Sequence, residues 1–218
     1  DITNKVDKYL NNRFKGHDSL LNFWASLDSN KKKNIKFSHL TNFDILFCFS
    51  SEDEYFGKHS HRGVLDIPYS QYRLIYDLFI TYGDLLMNNK FVFKLHPRIK
   101  DSKLKLTKKK YEELFKFLNN LGVNFDVVTT EYTSYELIKN SRGTIGFGSP
   151  VIEACYLDKP SLLLGPTLFM NTNSIYKTDS LVGICKFILN TPKPLDKSGV
   201  YQYFWHWISN GSTFKVIK

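Results

Sequence analysis

The stretch GTIGFGSPVIEACYLDKPSLLL, Gly143 to Leu164, decides how this chain folds. Gly143 to Phe147 is a short apolar run that reads as a buried strand, and Gly148-Ser149-Pro150 closes it. Serine suits a helix cap, and proline suits the first helical position, where its missing N–H costs nothing. A helix is therefore expected from Ser149 to Leu157, followed by another apolar strand from Ser161 to Leu164. Strand, helix and strand in that succession belong to a parallel sheet covered by helices.

The same alternation continues outward. Phe43 to Phe49 reads as a first strand, and Leu74, Ile75, Leu78, Phe79, Tyr82, Leu85 and Leu86 place one apolar stripe on a helix. Phe91 to Leu95 is a second strand, ended by Pro97. Tyr111, Leu114, Leu118 and Leu121 mark a second helix, which Gly122 stops. Phe125 to Val128 is a third strand, Tyr135 to Asn140 a short helix, and Leu181 to Leu189 a helix beyond the last strand. The expected fold class is α/β, a Rossmann-like open parallel sheet with helices on both faces. Residues 43–195 form this domain. Residues 1–42 are polar and Asn/Lys-rich, with a weak helical stripe at Leu20, Leu21, Phe23, Trp24 and Leu27, and read as a linker with a helix. Residues 196–218 are an aromatic tail whose Tyr201 to Ile208 stretch is too apolar to be left in water.

The chain has 218 residues, 42% hydrophobic and 23% charged, which excludes collagen-like, disordered and disulfide-scaffold classes. Lys, Asp or Asn interrupts every apolar run, so no spanning helix is expected and the chain is expected to be soluble. Thirty Lys and Arg against 21 Asp and Glu give a net charge of +9 and point to an anionic partner. The basic residues concentrate at Lys31 to Lys33 and from Lys94 to Lys110, where eight Lys/Arg face a single Asp. Cys48, Cys155 and Cys185 are odd in number, widely spaced and set in apolar sequence, as expected of reduced core thiols in a cytoplasmic setting. Opening at Asp1 without a leader reads as an excised piece of a longer protein.

In an open α/β sheet, ligands bind beyond the carboxyl ends of the strands. The residues to weigh are therefore Ser50-Ser51-Glu52-Asp53-Glu54, His96-Pro97-Arg98 with Lys94, Thr129-Thr130-Glu131, and Gly148-Ser149-Pro150 leading to Glu153. Gly148 allows close backbone approach, and the helix start at Ser149 favours a phosphate. Glu153, one turn in, is either dipole-favoured or within reach of a ribose. His96, fixed between a strand and a proline, is placed to donate to a phosphate oxygen, with Arg98 and Lys94 adding charge. Ser50 and Ser51 are either turn formers or ligands. No phosphate-binding Gly-Lys-Ser/Thr loop, dinucleotide-type Gly-x-Gly-x-x-Gly or Gly-x-Ser-x-Gly elbow is present, so ATPase, dinucleotide oxidoreductase and hydrolase readings lose support. His59-Ser60-His61 is a weak metal pattern, and no metal or other cofactor is expected. The aromatics sit at core spacings and not among the basic runs, which argues against nucleic acid.

Taken in order, several motifs resemble the bacterial capsule and lipopolysaccharide surface-carbohydrate glycosyltransferases. They are Ser50-Ser51-Glu52-Asp53-Glu54-Tyr55, Gln71 opening a helix, Lys94-Leu95-His96-Pro97-Arg98, Ser134 to Ile138, Gly148 to Ala154, and Lys159-Pro160-Ser161 through Leu164-Gly165-Pro166. The resemblance runs from about Phe43 to Phe214 and implies the C-terminal, donor-binding half of a GT-B enzyme. It implies that His96-Pro97 and the Ser149 helix start hold donor phosphates, with His96 catalytic, that Glu153 takes the ribose, and that the Ser50-Ser51 turn faces the same cleft; Lys94, Arg98, Thr130 and Gly148 complete the expected donor site from their place at the strand ends. It implies a nucleotide-sugar donor, a glycan or lipid-linked glycan acceptor, a missing N-terminal domain, and an aromatic tail that crosses to that domain or lies on the inner membrane face. Lys94 stands where many relatives carry Arg, and His61-Arg62-Gly63 replaces a more acidic, tryptophan-containing loop. Two other readings stay open: a glycerol or ribitol phosphotransferase of the teichoic-acid type, and a non-catalytic nucleotide-binding module.

Overall fold

The strands of the computed structural model are β1 Phe43–Cys48, β2 Lys90–Lys94, β3 Asn124–Val128, β4 Ser141–Gly146, β5 Ser161–Leu163 and β6 Tyr176–Lys177. They pair in parallel, in the order β3-β2-β1-β4-β5-β6. The helices are α1 Ile2–Phe14, α2 Gln71–Leu86, α3 Lys105–Asn120, α4 Ser134–Asn140, α5 Pro150–Tyr156, α6 Leu181–Leu189 and α7 Ser198–Gly211, with a 3-10 turn at Pro97–Lys100. The structure describes residues 1–15, 40, 42–51, 70–100, 105–165 and 167–211. The stripe at Leu20 to Leu27, Glu52-Asp53-Glu54, His59-Ser60-His61 and His61-Arg62-Gly63 lie outside them.

Side chains of a strand alternate between faces, and both faces of the inner strands β1, β2, β4 and β5 are covered, which favours continuous apolar runs such as Ile45 to Phe49 and Phe91 to Phe93. Ile45, Phe47 and Phe49, with Phe91, Phe93, Ile145, Phe147 and Leu162, pack against apolar residues of α2, α3 and α6. Leu46, Cys48 and Val92 point the other way, toward Leu137 and Ile138 of α4 and Ala154 of α5. Beyond them Val151, Ile152 and Leu163 meet Val6 and Leu10 of α1 and Val200 and Phe204 of α7. This is the expected Rossmann-like, doubly wound α/β fold.

Three local features follow from residue type. Gly122 closes α3 with φ of 79°, a conformation that glycine adopts without steric cost. Thr133 and Glu136 cap α4 reciprocally. Gly146 is paired with Cys48 at the centre of the sheet. A Cβ at Gly146 would sit 2.9 Å from the Cys48 carbonyl oxygen and 3.1 Å from Val151 Cγ2. Neither the strand nor the buried valine can yield, so Gly146→Ala is expected to lower stability by about 1–3 kcal/mol in urea denaturation.

The ends of the chain behave differently from the centre. The helix expected at Leu20 to Leu27 lies outside the described residues, and α1, at Ile2–Phe14, is a different one that the sequence reading did not single out. It buries only Val6 and Leu10. Asp7 accepts hydrogen bonds from the Tyr156 and Tyr201 hydroxyls at 2.8 and 3.1 Å, tying α1 to α5 and α7. Within the aromatic tail Ser198–Gly211 form α7, whose Val200 and Phe204 are buried within this chain, while Trp207 stays exposed. Among the described residues, no helix is long and apolar enough to cross a membrane. All three cysteines are buried and none is in a disulfide.

Candidate functional site

The strand order reverses direction between β1 and β4, and the crevice beyond their carboxyl ends is where such sheets place ligands. Pairing runs one residue past the strands: Phe49 N–H donates to the Lys94 carbonyl at 3.0 Å, and Phe147 N–H to the Cys48 carbonyl at 3.3 Å. The Phe49 and Phe147 rings stack at 6.0 Å, sealing the floor between the two loops. The loops that leave here carry Ser50-Ser51 and Gly148-Ser149.

A small open pocket lies at the ends of β1 and β2. Phe49, Leu95, Ile99 and Tyr111 form its apolar wall, and Ser50, Ser51, His96 and Thr107 its polar residues. Three expected site residues, Ser50, Ser51 and His96, thus come together around one space. His96 is half-buried, and its Nδ1 accepts the Arg98 backbone N–H at 3.3 Å. The ring proton therefore sits on Nε2, making that nitrogen a donor in the neutral state. The Ile99 N–H bond to the His96 carbonyl, at 3.0 Å, starts the 3-10 turn that includes Pro97 and Arg98. Arg98 is half-buried and contributes its backbone to this geometry.

Gln71 was only a mark at a helix start in the sequence. It is fully buried, and its Oε1 accepts the Ser50 N–H at 2.8 Å while its Nε2 donates to the Ser50 carbonyl at 3.0 Å. Nothing in the sequence pattern announces a contact between positions 21 apart.

Several expected residues do other work. Lys94 lies on the same face of β2 as Val92, toward α4, and is buried. Its ammonium donates to the carbonyls of Thr129 at 2.8 Å and Tyr132 at 2.6 Å, so its charge supports the β3–α4 loop and does not face the pocket. Lys94→Met removes two charge-assisted bonds and leaves the half-buried Thr129 and Tyr132 carbonyls without their ammonium donor. It is expected to cost about 1.5–3 kcal/mol, read from the denaturation midpoint. Thr129 is closed onto Glu131, whose carboxylate accepts its N–H and its hydroxyl. Thr130 is half-buried in the same loop and lies outside the pocket wall.

The start of α5 also differs from expectation. Ser149 has helical φ and ψ of −54° and −29° and makes no side-chain cap bond, because a capping side chain needs an extended backbone at that position. Pro150 has no N–H, and the Val151 N–H is used by the Gly148 carbonyl at 3.1 Å. This seven-residue helix thus presents fewer open donors than a longer, side-chain-capped one. At Gly148 an added Cβ would meet only Pro150 Cδ, at 3.9 Å, so glycine is not sterically required there.

Glu153 is not turned toward the pocket. Its side chain is 3% exposed, and Oε1 accepts from Arg13 Nη2 at 2.9 Å and Nε at 3.2 Å. In this structure Glu153 forms an ion pair with the end of α1. Phe14 covers the pair's surroundings, with its ring 4.2 Å from that of Tyr135 and 5.6 Å from that of Tyr156. Burial and then the Glu153 charge push the Tyr135 hydroxyl well above the ordinary tyrosine range. Burial, opposed by Lys94, pushes Cys48 up to about 12, so it is a thiol at neutral pH and no nucleophile.

Among the described residues, no group of three or more His, Cys, Asp or Glu side chains is arranged to hold a metal ion. No protein-family model matches the chain, and no curated protein matches it. Among solved structures it is similar to the UDP-GlcNAc 2-epimerase of Methanocaldococcus jannaschii, determined in complex with UDP-GlcNAc and UDP. The TM-score is 0.45 and the identity 18%, over 94% of this chain and 52% of that one. The chain spans about half the length of that structure.

Proposed function

We propose that this chain is the donor-binding part of a glycosyltransferase that moves a sugar from a nucleotide-sugar to a surface-polysaccharide acceptor. The observation that carries the reading is the convergence of Ser50, Ser51 and His96 at the carboxyl ends of β1 and β2, beside the point where the strand order reverses. In this reading the pocket receives an oxygen of the diphosphate. His96 Nε2–H donates to it, the serine hydroxyls flank it, and the α5 end of the crevice takes the rest. As the bond from the anomeric carbon to the phosphate oxygen breaks, negative charge grows on the leaving diphosphate, and donors already aimed at it lower the barrier. The acceptor hydroxyl forms the new bond, and its proton goes to a base outside this site. Lys94 and Glu153 enter as supports, one under the β3–α4 loop and the other as the partner of Arg13.

The test is thermal stabilisation by CMP, CDP, UDP, GDP and their sugar conjugates. A ligand at 100 times its dissociation constant adds about 2.7 kcal/mol. A selective response to one base is expected, with His96→Ala weakening that ligand by about tenfold or more through loss of a charge-assisted bond. Full affinity in His96→Ala overturns the assignment. Where the complete enzyme is assayed, a phosphodiester in the product in place of a glycosidic bond selects the phosphotransferase reading.

A further inference from the structure

The backbone pairing of the central strand reaches Phe49, in the pocket wall, whose N–H donates to the Lys94 carbonyl at 3.0 Å. Ser50 follows, and there the strand's place is taken by one side chain: Gln71 accepts the Ser50 N–H and donates to the Ser50 carbonyl, at 2.8 and 3.0 Å. A planar carboxamide carries one acceptor and two donors, so it pairs both backbone groups of a residue as a neighbouring peptide would. The amide is itself fixed. Gln71 is fully buried at the first position of α2, and Ser70 caps that helix by accepting the Arg73 N–H at 3.3 Å. Ser50 and Ser51 line the same pocket as His96.

We infer that Gln71 is a positioning residue of the donor site, which holds the Ser50–Ser51 turn in the register that lets its hydroxyls and His96 address the same ligand oxygen. The inference rests on the donor-site reading given above. A glutamine needed only for folding and one needed for the site make different predictions. The first lowers stability and leaves the affinity of the folded chain intact, while the second lowers affinity in chains that remain folded.

The experiment is calorimetric titration of wild type, Gln71→Met, Gln71→Glu and the core control Leu118→Ala, below each variant's unfolding transition. The probe is whichever of CMP, CDP, UDP and GDP stabilises wild type most. Methionine keeps the volume without either hydrogen bond. Glutamate keeps the acceptor for the Ser50 N–H but sets an oxygen against the Ser50 carbonyl, and it supplies the answer should the methionine variant not fold. The expected result is binding at least about tenfold weaker in both Gln71 variants and unchanged in Leu118→Ala, because a displaced turn misaims donors whose strength depends on angle. Wild-type affinity in a folded Gln71 variant overturns the positioning role while leaving the donor-site reading standing. Absence of binding by wild type to all four nucleotides overturns that reading and this inference with it.

Discussion

Arg13→Met is expected to cost about 3–5 kcal/mol of folding stability, because it leaves the Glu153 carboxylate buried without its cation. The two partners are unequal: the Arg13 side chain is 18% exposed and the Glu153 side chain 3%. Burial opposes the charge on Arg13, but Glu153, with Tyr135 and Tyr9, more than offsets it, so the guanidinium is held more firmly charged than an ordinary arginine. Removing the acid is therefore milder than removing the base. In Glu153→Gln the guanidinium keeps an oxygen acceptor and some access to water, and the expected loss is about 1–3 kcal/mol. Arg13→Met combined with Glu153→Leu removes both charges and should be more stable than Arg13→Met alone.

Equilibrium urea denaturation at neutral pH measures these losses. A deficit below about 1 kcal/mol for Arg13→Met would show that α1 does not carry the charge balance of Glu153.

The sheet was readable in advance because its cause is local. Strands buried on both faces must be continuous apolar runs, and the stripes of α2, α3 and α6 repeat at helical spacing, so Phe43 to Leu189 announces its alternation residue by residue. What escaped was short or non-local. β6 has two residues and the Pro97–Lys100 turn four, too few for any periodicity to register. α1 is polar by composition and is held by Val6, Leu10, Asp7 and Arg13, each meeting partners about 140 or more residues away. The same limit explains the site. Strand ends and the switch point follow from the alternation, which placed Ser50, Ser51 and His96 correctly at one end of the sheet. The direction of Lys94 and the partner of Glu153 depend on which face a side chain leaves from and what has packed there. A charge in a motif names a capacity, and tertiary contact decides where it is spent.

The second large effect concerns the aromatic layer that carries those strand ends. Phe93→Ala is expected to lose about 3–5 kcal/mol, because a fully buried ring is removed from a site whose walls cannot close. Its centroid lies 5.3 Å from that of Phe47, its ladder neighbour, and 5.6 Å from those of Phe115 and Phe125. Phe91 and Phe49 each stand 6.2 Å away. Four of these five rings are on, or directly beyond, strands held in register by backbone pairing, and only Phe115 of α3 belongs to an element that can slide inward. The cavity should thus persist, which puts the loss at the upper part of the range, while Phe93→Leu, which restores part of the volume, should lose clearly less. The check is a shift of the urea midpoint at constant slope, since a changed slope would signal an altered denatured or native ensemble. Phe49 links this layer to the pocket, touching Phe93 on one side and Tyr111, at 5.3 Å, on the other. A loss below about 1.5 kcal/mol for Phe93→Ala would therefore mean that α3 has moved in to fill the space. It would carry Thr107 and Tyr111 with it, and the pocket that faces His96 would be the place where that movement shows.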